Sequence, residues 1–596
     1  MDFYYFYSGK EFEAYNYLGA HVQPGGGVTF RTYAPNAEKV YLTGECNQWG
    51  QTEMTPVYDG KFWEIYLPKA KAKQMYKYQI LTQDKKLVDH CDPYAFFNEK
   101  RPGFASIVYD MHSYTFHDDK WMRNADARKD KPMNIYEMHL GSWRKKVDSK
   151  EDGWYSYVET ANLLIPYLKE NGYNYVELMP INEYPHDASW GYQATGFFAC
   201  TSRYGEPNDL KKFIDLCHQN DIGVFLDIVT VHFALNDYAL KDYDGTPIYE
   251  YPHSDMTYSQ WGSNNFMHAR PEVRSFLQSA SDFWISQYHF DGLRMDAVGN
   301  LLYWQGDASR GENKGAIEFL KQMNKQLKIR HPGTVLMAED STTYPKDTDP
   351  VDQGGLGFDY KWDMGWMNDT LKFFSTDPKY RSEMYHKITF RQSYAGADHF
   401  ILPLSHDEVV HGKATIVNKM CDLYEGKFDQ ARMLYMYMFT LPGKKLNFMG
   451  NEIGQLREWD EKRQQDWDML KYPIHDAFHQ FMKTLNHLYL EHSALWQWDY
   501  DQRGFQWIDA DKVQECVYAY RRMSSNETLV FIMNTGNLAN RYTWNTTAKI
   551  KLLLASDDQK WSGKTDFTKA GTDITKDAYT ATVTVPGKSA RIYLEY

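Results

Sequence analysis

The stretch Gly223-Val224-Phe225-Leu226-Asp227-Ile228-Val229-Thr230-Val231-His232 reads as a strand that begins apolar and ends in chemistry. From Gly223 to Ile228 the run is almost continuously apolar, as expected of a strand buried on both faces, and Asp227 and His232 stand at its far end. Upstream, Leu210, Phe213, Ile214 and Cys217 keep the i, i+3, i+4, i+7 spacing of an amphipathic helix. Downstream, Pro271 opens a second helix that carries Val273, Phe276, Leu277, Ala280 and Trp284. A buried strand between two such helices is the unit of a parallel sheet with helical crossovers.

Outward from this unit the same alternation repeats. Strands are predicted at Ile135 to Leu140, Tyr173 to Leu178, Gly223 to Ile228, Gly292 to Asp296, Val335 to Glu339, Phe358 to Trp362, Phe400 to Leu404 and Leu446 to Met449. His331-Pro332-Gly333 stops a third helix. Eight βα units close as a (β/α)8 barrel of the TIM type, assigned to residues 113–492. Before it, short bursts (Val28 to Tyr33, Lys39 to Leu42, Phe62 to Leu67, Met75 to Ile80) broken by Pro, Gly and Asn predict a small β-sandwich within residues 1–112. Trp121 to Lys131 lacks a hydrophobic period and reads as a linker. After Ser493 the strand rhythm returns (Cys516 to Arg521, Leu529 to Met533, Ile550 to Leu554, Thr580 to Val585, Arg591 to Leu594), which predicts an all-β sandwich over residues 493–596. The expected fold is therefore multidomain, a central barrel flanked by two β-sandwiches. No repeat or low-complexity segment interrupts it.

Composition narrows the function. The 596 residues are 43% hydrophobic and 24% charged, an ordinary globular balance. The net charge of -13 offers no cationic face for phosphate backbones or anionic lipid, so nucleic acid and membranes are poor partners and a neutral substrate fits better. No eighteen consecutive apolar residues occur, and Met1 to Glu13 carries no basic residues before an apolar run, so a cytoplasmic protein is expected. Cys46, Cys91, Cys200, Cys217, Cys421 and Cys516 show no CxxC spacing, which argues for reduced thiols rather than a zinc knuckle or a disulfide framework. Aromatic residues make up 16% of the chain; most belong to cores, but their faces also suit the C–H faces of sugars.

Chemistry in such a barrel sits at the C-terminal strand ends. Strand three ends in Asp227 and reaches His232; strand four ends Arg294-Met295-Asp296; strand five ends Glu339-Asp340; strand seven runs into His406-Asp407-Glu408; strand eight leads to Glu452. Arg294 and Asp296, two apart on a strand, share a face, so the guanidinium holds the carboxylate ionised as a nucleophile. Glu339 and Asp407 converge from other strands, and crowded negative charge lets Glu339 stay protonated as an acid, the pairing that glycosidic cleavage requires. Any one of these acids could be a solvated strand cap. As a set they read as catalytic, and His232 and His406 beside them read as donors to sugar hydroxyls.

The sequence resembles the α-amylase superfamily. Four motifs appear in order as Asp227-Ile-Val-Thr-Val-His232, Gly292-Leu-Arg-Met-Asp-Ala-Val298, Met337-Ala-Glu-Asp340 and Leu404-Ser-His-Asp-Glu408. Ser189-Trp-Gly-Tyr-Gln193, Tyr243 to Tyr249, Gly357 to Asn368, Leu402 to Lys413 and Phe448 to Gln455 are similar to the branching enzymes within that superfamily. Gly19-Ala-His21, Ala34 to Ala37 and Asn47-Gln-Trp49 look like the carbohydrate-binding module that branching and debranching enzymes share. The resemblance implies Asp296 as nucleophile, Glu339 as general acid/base and Asp407 as the carboxylate gripping ring hydroxyls. It further implies Tyr192 beneath the sugar, with Asp227, His232, Arg294 and His406 holding hydroxyls or the nucleophile; Glu452, Trp190 and Trp304 are further candidates, and Trp49 is one for surface glucan. The implied reaction cuts an α-1,4-glucan (glycogen, amylose or amylopectin type) and rejoins the segment at a 6-hydroxyl as an α-1,6 branch, without a cofactor.

The same carboxylates would serve a debranching or amylase-type hydrolase, since only the acceptor separates water from a sugar hydroxyl; the long runs favour branching. A glycan-binding scaffold with a dead barrel is the reading from another class. Many amylases ligate calcium through an Asn before the first-motif His, where Val231 stands here, so no metal is expected at that position. The oligomeric state is left open, with a monomer favoured.

Overall fold

In the computed structural model, which describes residues 1–147, 149, 152–252, 254–567 and 574–596, all eight predicted strands close into one parallel barrel. They run Asn134–Met138, Tyr175–Leu178, Gly223–Ile228, Gly292–Met295, Val335–Ala338, Tyr360–Trp362, Phe400–Leu404 and Lys444–Phe448. The long helices between them follow their sequence signals. Pro207 opens the helix that buries Leu210, Phe213, Ile214 and Cys217, and Pro271 the helix that buries Val273, Phe276, Leu277 and Trp284.

Side chains alternate along each barrel strand, so every second residue faces inward. The lower interior is an apolar plug of Ile135, Tyr175, Phe225, Val335, Met337, Tyr360, Trp362, Ile401 and Leu446. Two residues further along four of these strands the same face carries Glu137, Glu177, Asp227 and Glu339. Parallel pairing sets Glu137 beside Glu177 and Asp227 beside Arg294. One periodicity thus builds both the packed base and the charged mouth.

The N-terminal part is a sandwich of two sheets, Gly19–Val22, Val28–Tyr33, Phe62–Leu67 and Thr55–Val57 against a sheet built on Lys39–Gly44, Met75–Leu81 and Leu87–His90. The C-terminal part stacks a five-stranded on a three-stranded sheet, around Val530, Ile532, Tyr542, Trp544, Val583 and Tyr593. Its strands Phe505–Lys512 and Asn540–Asn545 escaped the sequence reading because charged and amide residues interrupt both and much of each is exposed.

The stretch Trp121 to Lys131 is not a bare linker. It belongs to two short helices, Asp119–Arg123 and Ala125–Arg128. Tertiary ion pairs supply what the missing hydrophobic period could not. Buried Asp118 accepts from His218 at 2.8 Å and His289 at 2.9 Å, while Arg128 stacks on Trp121 and reaches Asp291 at 3.0 Å. No described helix is long and apolar enough to cross a membrane.

Candidate active site

A cavity of about 580 Å³ opens at the C-terminal mouth of the barrel, with Asp296, Glu339, Asp407, Tyr192, His232 and His406 in its walls. Fully buried Arg294 organises it from below. One guanidinium nitrogen, Nη1, donates to both oxygens of Asp227, at 2.8 and 2.6 Å, and to Asp296 Oδ1 at 3.0 Å; Nη2 lies 3.7 Å from Glu339. The guanidinium rests on the Trp362 ring, 4.2 Å from its centroid, a placement for which a lysine has no equivalent plane.

The chain bends sharply after Asp296. Ala297 takes φ 48°, a left-handed conformation costly for alanine, and its amide thereby donates to Glu339 Oε2 at 2.7 Å. The strain joins the ends of two barrel strands and fixes one carboxyl against the other. Burial pushes both Asp296 and Glu339 up to about 7, against the pull of Arg294. Two carboxyls in one another's field hold a single proton between them near neutrality. Direct bonding to Arg294 keeps Asp296 the ionised member and leaves the proton on Glu339.

Asp407 is about half exposed, and neighbouring His406 holds its carboxyl below the usual range. His406 itself is gripped from strand one, where Glu137 accepts its Nδ1–H at 2.5 Å and its backbone N–H at 3.0 Å. Although burial opposes the charged ring, Asp407 and Glu137 raise it to about 9. His406 is therefore an imidazolium whose Nε2 faces Asp407 at 3.4 Å. His232 has no such partner, and burial alone drives it down to about 4, leaving a neutral ring.

Tyr192 stacks on His406, ring centroids 5.6 Å apart, and donates to Asp227 at 2.5 Å. The preceding turn needs glycine. Gly191 sits at φ 91°, and a Cβ there would meet Pro180 O at 2.2 Å. Asp227 and Arg294 are wholly buried and do not line the cavity; they act through Tyr192, Asp296 and Glu339. Trp190 lines it, as do Trp261, His411 and Asn300, which the sequence reading did not single out. His411 and Gln193 lie inside motif runs, whereas Trp261 carried no local signal.

Glu452 is not brought to the cavity. It is wholly buried and accepts from Tyr136 at 2.8 Å, Tyr167 at 2.6 Å and the Gly450 amide at 2.8 Å, which makes it a clamp under strand eight. Trp304 packs on Tyr251, 5.8 Å between centroids, outside the cavity wall. Trp49 is exposed on the N-terminal sandwich, with the Lys77 ammonium 6.0 Å from its ring. Among the described residues no cluster of three or more His, Cys, Asp or Glu could hold a metal. Chelation with EDTA is expected to leave Tm unchanged; a fall restored by calcium would refute this.

Comparisons with known proteins agree along most of the chain. Residues 17–95 match carbohydrate-binding module 48 (isoamylase N-terminal domain). Residues 160–261 and 256–535 match the α-amylase catalytic domain, and residues 507–594 the α-amylase C-terminal all-β domain. The 1,4-alpha-glucan branching enzyme GlgB of Bacillus caldolyticus is 43% identical over 549 residues, 90% of this chain and 82% of that protein. GlgB of Bacillus subtilis (strain 168) is 42% identical over 543 residues, 89% and 86% of the two chains. Among solved structures, a putative α-amylase from Salmonella typhimurium superposes with TM-score 0.73 at 18% identity, over 97% of this chain and 100% of that one. Pullulanase from Bacillus acidopullulyticus superposes with TM-score 0.73, also at 18% identity, over 97% and 75%. These two likenesses are of fold.

Proposed function

The chain belongs to the 1,4-α-glucan branching enzymes of the α-amylase family, and on that premise we propose that Asp296, Glu339 and Asp407 carry the branching reaction. The observation behind the assignment is the single guanidinium of Arg294, which bonds Asp296 at 3.0 Å and lies 3.7 Å from Glu339. Asp296 attacks the anomeric carbon of an α-1,4 bond as Glu339 gives its proton to the departing O4, so a glucosyl ester forms as the glycosidic bond breaks. Glu339, now ionised, takes the proton of an incoming 6-hydroxyl, whose oxygen displaces Asp296 and closes an α-1,6 bond. Two inversions give net retention. Asp407 and the cationic His406 hold the ring hydroxyls, and neutral His232 offers a further donor. Residues 1–112 serve as a carbohydrate-binding module, 113–492 as the catalytic barrel and 493–596 as the C-terminal sandwich. A cytoplasmic location belongs to the same reading, in keeping with six free cysteines.

Tyr192 presents a ring to the sugar and a hydroxyl to Asp227. Tyr192→Ala is expected to lower kcat/KM on amylose about 10- to 100-fold, from roughly 1.5–3 kcal/mol of lost ring contact; an unchanged value would remove it from the sugar platform.

The direct test incubates the protein with amylose and follows iodine colour and reducing ends together, then adds an α-1,6 debranching enzyme. Falling colour without a matching rise in reducing ends, followed by release of short chains on debranching, is the branching result. Reducing ends that rise with colour loss, and no chains released, would make it a hydrolase.

A further inference from the structure

Strand one carries an acid that the reaction as written leaves unused. Glu137 stands in the Asn134–Met138 strand and is wholly buried beneath the cavity, where a carboxylate is costly unless it is paired and hydrogen-bonded. Its partner is His406. Oε1 accepts from Nδ1 at 2.5 Å, and Oε2 from the His406 backbone N–H at 3.0 Å. One carboxylate thus holds the ring and its own main chain together, and the ring cannot turn or flip without breaking the shorter bond.

The other walls of the His406 ring add shape rather than charge. Tyr192 stacks on it at 5.6 Å, and Trp190 and Trp459 meet it nearly edge-on at 5.8 and 6.2 Å. His139 lies within its field but is neutral, since burial drives that ring down to about 3. Burial also opposes a charge on His406, as Arg294 does from strand four, and Asp407 and Glu137 are the acids that support it. Glu177 stands in register with Glu137 on strand two and is equally buried, with no hydrogen-bond partner for either oxygen among the described residues. Burial, and then the fields of Glu137 and Asp227, raise it well above the usual carboxylate range, so it is a neutral acid. Asp227 is taken up by Arg294 and Tyr192. Glu137 is thereby left as the anion that faces Nδ1.

We propose that Glu137 is a positioning residue of the transfer reaction, acting through His406 to hold a charged ring whose Nε2–H is aimed at Asp407 and at the sugar hydroxyls that these two grip. A buried carboxylate behind an imidazole orients the ring and stabilises its charge; here the device serves to hold a charge rather than to move a proton. The proposal rests on the reading of His406 and Asp407 as the grip on the sugar ring and deepens it by naming what sets that grip. The charge also reaches the reacting pair. His406 is the largest influence holding the Asp407 carboxyl low, and while burial pushes Asp296 up, Arg294 and then His406 pull against it. With that charge lost both carboxyls rise, so the acid limb of the rate, where Asp296 takes up a proton, moves to higher pH.

In Glu137→Gln the amide fills the same space, but its NH2 facing Nδ1 donates to it, leaving a neutral ring with its proton on Nε2. Initial branching rates on amylose from about pH 5 to about pH 9 are expected to show kcat lowered about 10- to 100-fold, the loss of one charge-assisted hydrogen bond. KM is to change less than about threefold, and the acid limb is to move up by about half a pH unit or more. Glu137→Asp, which keeps the charge, is to return the limb to its parent position. Glu177→Gln, one neutral group for another, is to leave kcat and the limb unchanged. An unmoved limb in Glu137→Gln, a limb that stays displaced in Glu137→Asp, or an equal shift in Glu177→Gln overturns the proposal. The parent protein supplies a test without variants or turnover. In nitrogen-15 spectra of histidine-labelled full-length protein, His406, identified by the signal missing from His406→Gln, is to keep both ring N–H protons at about pH 8. A ring that has lost one overturns the proposal even if every Glu137 variant misfolds. A parent that keeps the doubly protonated ring but hydrolyses amylose retains the positioning role and refutes only branching.

Discussion

Asp296→Asn is expected to lower branching turnover by at least about 10⁴-fold, the scale of losing a covalent nucleophile. The loss is chemical rather than structural because Arg294 keeps its two bonds to Asp227 and its seat on Trp362. The amide is nearly isosteric with the carboxylate and can still accept from Nη1. Its folding is also relieved of a carboxyl that burial disfavours in the charged state, so Tm is expected to hold or rise. Initial rates on amylose by iodine colour, alongside maltoheptaose binding, check both halves. A residual rate within about tenfold of the parent would remove Asp296 from the nucleophile role. A collapsed Tm would mean that its negative charge is needed to offset Arg294.

The barrel was legible because period-two alternation and the apolar runs of its strands are local properties. All eight strands were located, with ends displaced by a few residues, as at Phe358 to Trp362 against the observed Tyr360–Trp362. That Asp296, Glu339 and Asp407 would meet in one cavity was legible for a related reason, since each follows an apolar run and stands at the C-terminal end of a barrel strand. What escaped depends on residues distant in sequence. Glu137 cannot be seen to grip His406 until the barrel closes strand one near strand seven, 269 residues apart. Trp362, read as strand core, becomes the floor under Arg294 only in three dimensions. Glu452 misled in the opposite sense: it follows strand eight as a catalytic acid would, but the Asn451–Ile453 turn directs it onto two tyrosine hydroxyls. The Trp121 to Lys131 stretch failed as a linker because the ion pairs that order it come from Asp118, His218, His289 and Asp291.

Glu339→Gln separates acid catalysis from everything else the site does. Turnover on amylose is expected to fall about 10²- to 10⁴-fold, the usual contribution of a positioned general acid. Formation of the glucosyl ester should recover on α-glucosyl fluoride, whose leaving group needs no proton. The parent requires one proton on the Asp296–Glu339 pair, so its rate falls as pH drops and both carboxyls are protonated, and falls again as pH rises and both ionise. With each held up at about 7, the optimum lies near neutrality. The glutamine variant on the fluoride keeps only the acid limb. Stability carries the same signature. The folded state holds the Glu339 proton to about 7 against an ordinary value of 4.5, so this group's contribution is favourable at low pH and is lost as pH rises through 7. Glutamine cannot ionise, and the Tm gain of Glu339→Gln over the parent is therefore larger at pH 8 than at pH 5. A variant that slows amylose and fluoride equally, with no pH dependence in its Tm difference, would place Glu339 outside the proton transfer and reduce it to a hydrogen-bond partner of the Ala297 amide.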